Sequence, residues 1–133
     1  MSGANVQEKT IGEVEKITNI SKRELKYFIE QDIMRPFRKS ESGYWLYSED
    51  DIRRVRLAAM CRDLGFPVRH IRAILADPTL RWTKELEQQT ARLAEELNQV
   101  QNRFIHAQSL QRLGVWDAVD TYFEGKDAAL AAK

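Results

Sequence analysis

The chain has 133 residues, 43% of them hydrophobic and 31% charged, with a net charge of +1. That length suits one folded domain plus an extended element, and that composition excludes wholesale disorder. There is no apolar run near the ~18 residues of a membrane span, no signal-peptide core, and one cysteine, Cys61, that cannot close an internal disulfide, so a cytoplasmic, membrane-free protein is expected.

Residues 1–9 read as a loose arm. Thr10 can cap a short helix with Ile11, Val14 and Ile17 on one side, and Thr18-Asn19-Ile20 reads as a turn. Ser21-Lys22-Arg23-Glu24 has the form of a capping box, so a second helix starts there, with Leu25, Phe28 and Ile29 spaced i, i+3, i+4. Asp32 is expected to end it. Two short helices around a tight turn make a helix-turn-helix. Between Ser21 and Lys39, Lys22, Arg23, Lys26, Arg35, Arg38 and Lys39 stand against Glu24, Glu30 and Asp32, a candidate phosphate-facing patch.

Arg35-Pro36-Phe37 breaks the helical pattern, and Phe37 to Tyr47 reads as two short strands around a Ser-Glu-Ser-Gly turn. Ser48 caps a third helix with Glu49, Asp50 and Asp51 in its first turn, where the helix dipole favours acids. Gly65 ends it. Pro67 suits the first turn of a fourth helix carrying Val68, Ile71 and Leu75, and Asp77-Pro78 breaks the chain again.

The longest helical pattern follows, from Leu80 to Leu113. Leu86, Thr90, Leu93, Leu97, Val100, Phe104 and Ala107 alternate by four and three, a heptad seam that one small domain cannot bury and that should pair with a second copy. Leu86, Leu93, Leu97, Val100 and Phe104 are the candidate dimerisation residues. Past Gly114, Val115, Val119, Tyr122 and Phe123 mark a short amphipathic helix in an acidic segment that should not face DNA. The Ala-rich end beyond Lys126 is expected to fray.

Ile11-Gly12-Glu13-Val14 through Ser21 to Tyr27, Ser42-Gly43-Tyr44-Trp45-Leu46-Tyr47, Ser48-Glu49-Asp50-Asp51-Ile52, and Leu64 to Ile71 together resemble the MerR family of transcription regulators. The resemblance covers Ile11 to about Pro78, and the long helix matches in architecture. It implies a mostly α fold: a winged helix-turn-helix domain over 10–78, a long antiparallel coiled-coil dimerisation helix over 79–113, and a short C-terminal helix or tail over 114–133. It also implies a homodimer on pseudo-palindromic promoter DNA, with the second helix in the major groove and the wing on the backbone. Such regulators bend and untwist the promoter for RNA polymerase holoenzyme, a deformation that costs several kcal/mol and can therefore carry control.

On that resemblance, Arg23 and Lys26 match positions that approach bases, Ser21 and Tyr27 positions that meet phosphates, and Lys39 and Tyr44 backbone-contacting positions of the wing. Arg38 joins them from the basic patch. Trp45 stands where the family usually has arginine, so a phosphate contact is lost, although an indole N–H can still donate one bond. Lys26 replaces arginine, Ile29 glutamate and Asp32 glycine; Asp tolerates the left-handed turn that glycine would make. Tyr47 is expected to pack under the wing.

Metal-sensing members carry cysteines at the start of the long helix, a position that falls on Trp82, and in a loop past the region of Gly114, which has none. No metal site or cofactor is expected. Cys61 is read as a buried structural thiol, with a redox or electrophile role as the alternative; His70 and His106 read as ordinary helix residues. Trp82, Trp116, Tyr122 and Phe123 either line a pocket for a small hydrophobic effector or cover the end of the coiled coil. An architectural DNA-bending protein without an effector and a coiled-coil interaction scaffold are the alternatives to a regulator. No nucleophile–base pair, metal cluster or phosphate loop suggests an enzyme.

Overall fold

The computed structural model describes residues 8–131, with side chains through residue 128, so most of the expected arm lies outside the described residues. Two compact units are present, Met1–Gln89 and Thr90–Lys133. The first holds α1 (Ile11–Thr18), α2 (Lys22–Glu30), β1 (Arg38–Lys39), β2 (Trp45–Leu46), α3 (Glu49–Asp63), α4 (Val68–Ala76) and the start of α5 (Pro78–Leu110). The second holds the rest of α5 and α6 (Val115–Ala131).

α1, α2 and α3 each begin at a side-chain cap, whereas α4 follows Pro67 without one. Thr10 and Glu13 cap each other's backbone amides, as do Ser48 and Asp51. Each such cap stabilises its helix by about 1 kcal/mol. The box expected at Ser21 forms only by half. Ser21 Oγ accepts from the Glu24 amide at 3.1 Å, but the Glu24 carboxylate turns away to an ion pair with Arg62 of α3. The α1–α2 turn closes at Asn19, which adopts φ 60° and donates to the Glu15 carbonyl. Asp32 takes φ 57° just past α2, the left-handed geometry in which a short polar side chain is tolerated.

β1 and β2 pair antiparallel, Arg38 opposite Leu46 and Lys39 opposite Trp45. Lys9, placed in the loose arm on sequence, instead bridges to Tyr47 through two backbone hydrogen bonds of 2.8 Å. Below this wing the core gathers Val14, Leu25, Phe28, Tyr47, Val55, Ile71, Ile74 and Leu75. Burying Phe28 or Leu25 contributes about 1.5–3 kcal/mol apiece relative to exposure.

Tyr47 is fully buried, and its hydroxyl has no hydrogen-bond partner among the described residues. Burial, helped by the nearby Asp51 carboxylate, pushes the phenol up to about 12. Cys61 is also fully buried, and burial lifts its thiol to about 11, as fits a structural thiol. Both values lie above the ordinary 10.0 and 9.0. The stability these groups contribute is therefore complete below those ordinary values and is lost as pH rises through the raised ones. Tyr47→Phe removes an unsatisfied buried hydroxyl and should raise stability by about 1 kcal/mol in thermal denaturation. A loss of similar size would show that the hydroxyl has a partner.

The α4–α5 break is shorter than the sequence suggested. α5 starts at Pro78, not Leu80, because proline at the first helical position forfeits no hydrogen bond and Asp77 sits as the cap, its Oδ1 3.4 Å from the Leu80 amide. The helix ends at Leu110 rather than Leu113. The first unit runs past Pro78 to Gln89 because Trp82 and Leu86 pack on its core while Glu85 and Gln89 are buried. α6 does not fray at Lys126 but continues to Ala131, in keeping with the high helix propensity of alanine.

Candidate functional site

Leu25 and Phe28 bury one side of α2; Ser21, Lys22, Arg23, Lys26 and Tyr27 remain exposed on the other. The helix is tied twice in its first turn and once at its C-terminal end. The Lys22 amide donates to the Glu15 carboxylate at 2.9 Å, Arg62 pairs with Glu24, and Arg72 Nε donates to the Gln31 carbonyl at 2.7 Å. These ties fix the direction in which Arg23 and Lys26 project. Ser21 Oγ is occupied as an acceptor by the cap, yet its O–H can still donate to an anion. A groove of about 750 Å³ runs beside the helix, bounded by Arg23 and Tyr27 on one side and Phe66 and Val68 on the other.

Glu15, Arg62 and Arg72 were not singled out in the sequence. Their partners lie 7, 38 and 41 residues away, beyond the reach of any local pattern. Glu15 also satisfies an amide at the N-terminus of α2, where a helix has unpaired donors.

In the wing, Gly43 at φ 86° and the Ser40–Tyr44 backbone hydrogen bond of 2.7 Å close the turn, leaving Tyr44 exposed at its tip. Trp45 is half-buried against the core, and Lys39 Nζ lies 4.7 Å from its ring centroid. Trp45 therefore seats the lysine opposite it by a cation–π contact, worth about 0.5–1 kcal/mol at exposed sites. Arg38 is engaged otherwise: its Nη2 and Nε meet the two Glu8 carboxylate oxygens at 2.9 and 3.1 Å. To reach a phosphate it must exchange that partner, at a cost of about 0.2–1 kcal/mol for so exposed a pair.

The effector candidates divide between the units. Trp82 belongs to the first, its ring 6.4 Å from Phe66. In the second, Tyr122 stands edge-on to His106 at 6.0 Å and to Phe123 at 5.2 Å, with Lys126 Nζ 4.8 Å over its ring. A cavity of about 320 Å³ there is lined by His106, Leu110, Tyr122 and Lys126; of the four candidates only Tyr122 reaches it. Trp116, 75% exposed, and Phe123 lie on the open face of α6. Neither histidine is solitary: His106 joins this aromatic group, and His70 Nδ1 meets the buried Glu85 carboxylate at 2.8 Å.

On α5, Leu86 packs half-buried against the core of its own unit. Leu93, Leu97, Val100 and Phe104 are exposed, Leu97 by 60%, and form an apolar stripe that the described residues leave largely open. Among the described residues no helix is long and apolar enough to cross a membrane, and no three acidic, histidine or cysteine side chains cluster as metal ligands.

The family described as "MerR HTH family regulatory protein" matches residues 9–77. The HTH-type transcriptional regulator ZntR of Escherichia coli is 30% identical over 105 residues, spanning 77% of this chain and 72% of that protein. Heavy metal-dependent transcription regulator 2 of Rhizobium meliloti is 33% identical over 66 residues, 50% of this chain and 45% of its own length. Among solved structures, a transcriptional regulator from Bacillus cereus superposes with a TM-score of 0.69 at 20% identity, over 90% of this chain and 99% of that one.

Proposed function

The chain belongs to the MerR family of helix-turn-helix regulatory proteins, and from that footing we propose that it binds a pseudo-palindromic promoter site as a homodimer and controls RNA polymerase holoenzyme by bending and untwisting the DNA. Its relatives regulate transcription, and it is a DNA-binding regulator rather than an enzyme. The observation that carries the finer reading is the α2 helix, held at three points with Arg23 and Lys26 aimed outward. Arginine and lysine suit guanine edges, and a fixed helix spends no ordering entropy on presenting them. Ser21, Tyr27, Lys39 and Tyr44 surround that face as phosphate contacts, with Arg38 joining once Glu8 releases it.

The exposed stripe of Leu93, Leu97, Val100 and Phe104 supports an antiparallel pairing of α5 with its copy. The heavy-metal dependence in the name of the Rhizobium meliloti relative is not carried over to this chain. Soft metal ions need thiolates, and the single cysteine, Cys61, is buried with its thiol held protonated. The effector that fits is a small apolar or aromatic molecule, received by the aromatic side chains of α6 and the end of α5.

Paired substitutions test the contacts. Arg23→Ala should cost about 1–3 kcal/mol on the cognate site and relax preference at one base position. Lys39→Ala should weaken cognate and random duplexes alike, as loss of a phosphate contact does. Equal losses on both duplexes for both variants would remove Arg23 from base reading.

A further inference from the structure

The described core encloses three buried polar side chains, Asp51, Glu85 and Gln89. Asp51 is accounted for by its cap at Ser48 and its bond from the Phe37 amide. Glu85 and Gln89 are different. They are 6% and 3% exposed and lie on one stripe of α5, with Trp82 and Leu86, at i, i+3, i+4 and i+7. Among the described residues each reaches across to the α3–α4 corner. Glu85 holds His70 of α4 at 2.8 Å, and Gln89 Nε2 donates to the Leu64 carbonyl at the end of α3 at 2.7 Å. Gly65, at φ 81°, lets the corner come so close: a Cβ there would sit 3.2 Å from Gln89 Nε2.

Desolvating a carboxylate and an amide is costly, and apolar residues of the same volume would dock the helix at least as stably. What apolar packing lacks is direction. A hydrogen bond fixes both rotation and register of a helix, whereas leucine against leucine tolerates sliding. Leverage makes the difference matter. From Glu85 to Phe104 α5 rises about 29 Å at 1.5 Å per residue. A tilt of about 10° at the corner would displace the far end by about 5 Å, more than the 3.4 Å between successive base pairs.

We propose that Glu85 and Gln89, acting through His70 and the Leu64 carbonyl, are positioning residues that set which half-site spacing the dimer accepts. This inference rests on the two-fold DNA-binding reading above. It concerns neither base contacts nor the dimer seam, so it predicts a phenotype that loss of either would not give: altered spacing preference with intact half-site binding and intact dimer.

The experiment uses the full chain and duplexes selected from a random library. Two copies of the selected half-site are separated by spacers lengthened or shortened by one and two base pairs, and a single half-site serves as control. Gln89→Leu and the double variant His70→Leu with Glu85→Leu keep volume and remove the directional bonds. Wild type should favour one spacer by about tenfold or more over its neighbours, the scale of a DNA deformation penalty. Both variants should bind the single half-site within about twofold of wild type and sediment unchanged, while that preference falls to about threefold or less. Variants that keep the wild-type spacing profile overturn the proposal. A wild type that binds paired half-sites no better than one overturns the two-fold reading instead. Should the leucine variants lose half-site binding, Gln89→Met, which keeps side-chain length without the donor, is read by the same criteria.

Discussion

Replacing Leu97 by lysine should leave a folded monomer that has lost nearly all operator affinity. Leu97 lies midway along the exposed stripe of α5, between Leu93 and Val100, and the described residues leave it largely open. A partner helix that covers it would have to desolvate the new ammonium, a penalty of several kcal/mol in each of two symmetric copies. The same substitution costs the winged unit little, because Leu97 lies outside it. Each monomer then engages one half-site, and the gain from linking two sites, a factor of about 10²–10⁴, disappears. Sedimentation velocity reports the mass and a duplex titration the affinity. A variant that remains dimeric would place the seam on another face.

The parts of this fold that were legible in the sequence are those written in local chemistry. Thr10 and Ser48 mark helix starts because a cap needs its hydroxyl within three residues of the amide it serves. Asn19 and Asp32 mark helix ends because few other side chains accept positive φ. The periodic apolar positions Leu25 and Phe28 fall where expected, as does Tyr47, which the resemblance placed beneath the wing. Local rules also misled where two roles competed for one group. Glu24 has the spacing of a capping box, but an arginine across the fold claims its carboxylate.

The rest was illegible because it depends on contacts between distant elements. Arg62 and Arg72 carry no local signal in the sequence, yet they brace the α2 helix from α3 and α4. Arg38 reads as a phosphate contact, and nothing local discloses that Glu8, 30 residues earlier, holds it. His70, Glu85 and Gln89 look like polar positions on the outer faces of two helices until the α3–α4 corner folds onto α5. Leu86 satisfies the heptad as well as Leu93 does, and only the extent of the first unit shows that it also packs on the core. The candidate DNA-contact positions needed the family resemblance in addition, since an exposed arginine on a helix reads equally as a solvated face.

Two copies of the α2 helix and wing are proposed to grip a duplex mainly through phosphates while Arg23 and Lys26 read its sequence. Titration of the full chain with a selected pseudo-palindromic duplex and with its scrambled counterpart, across a series of salt concentrations, tests it most directly. With about six to ten phosphates contacted by the dimer, log affinity should fall linearly with log salt, and binding should weaken by about 10³–10⁵ between 50 and 200 mM. The scrambled duplex should share the steep slope but bind more weakly at every salt concentration, because phosphate contacts carry no sequence information. Binding that is flat with salt, or identical for the two duplexes, would contradict it.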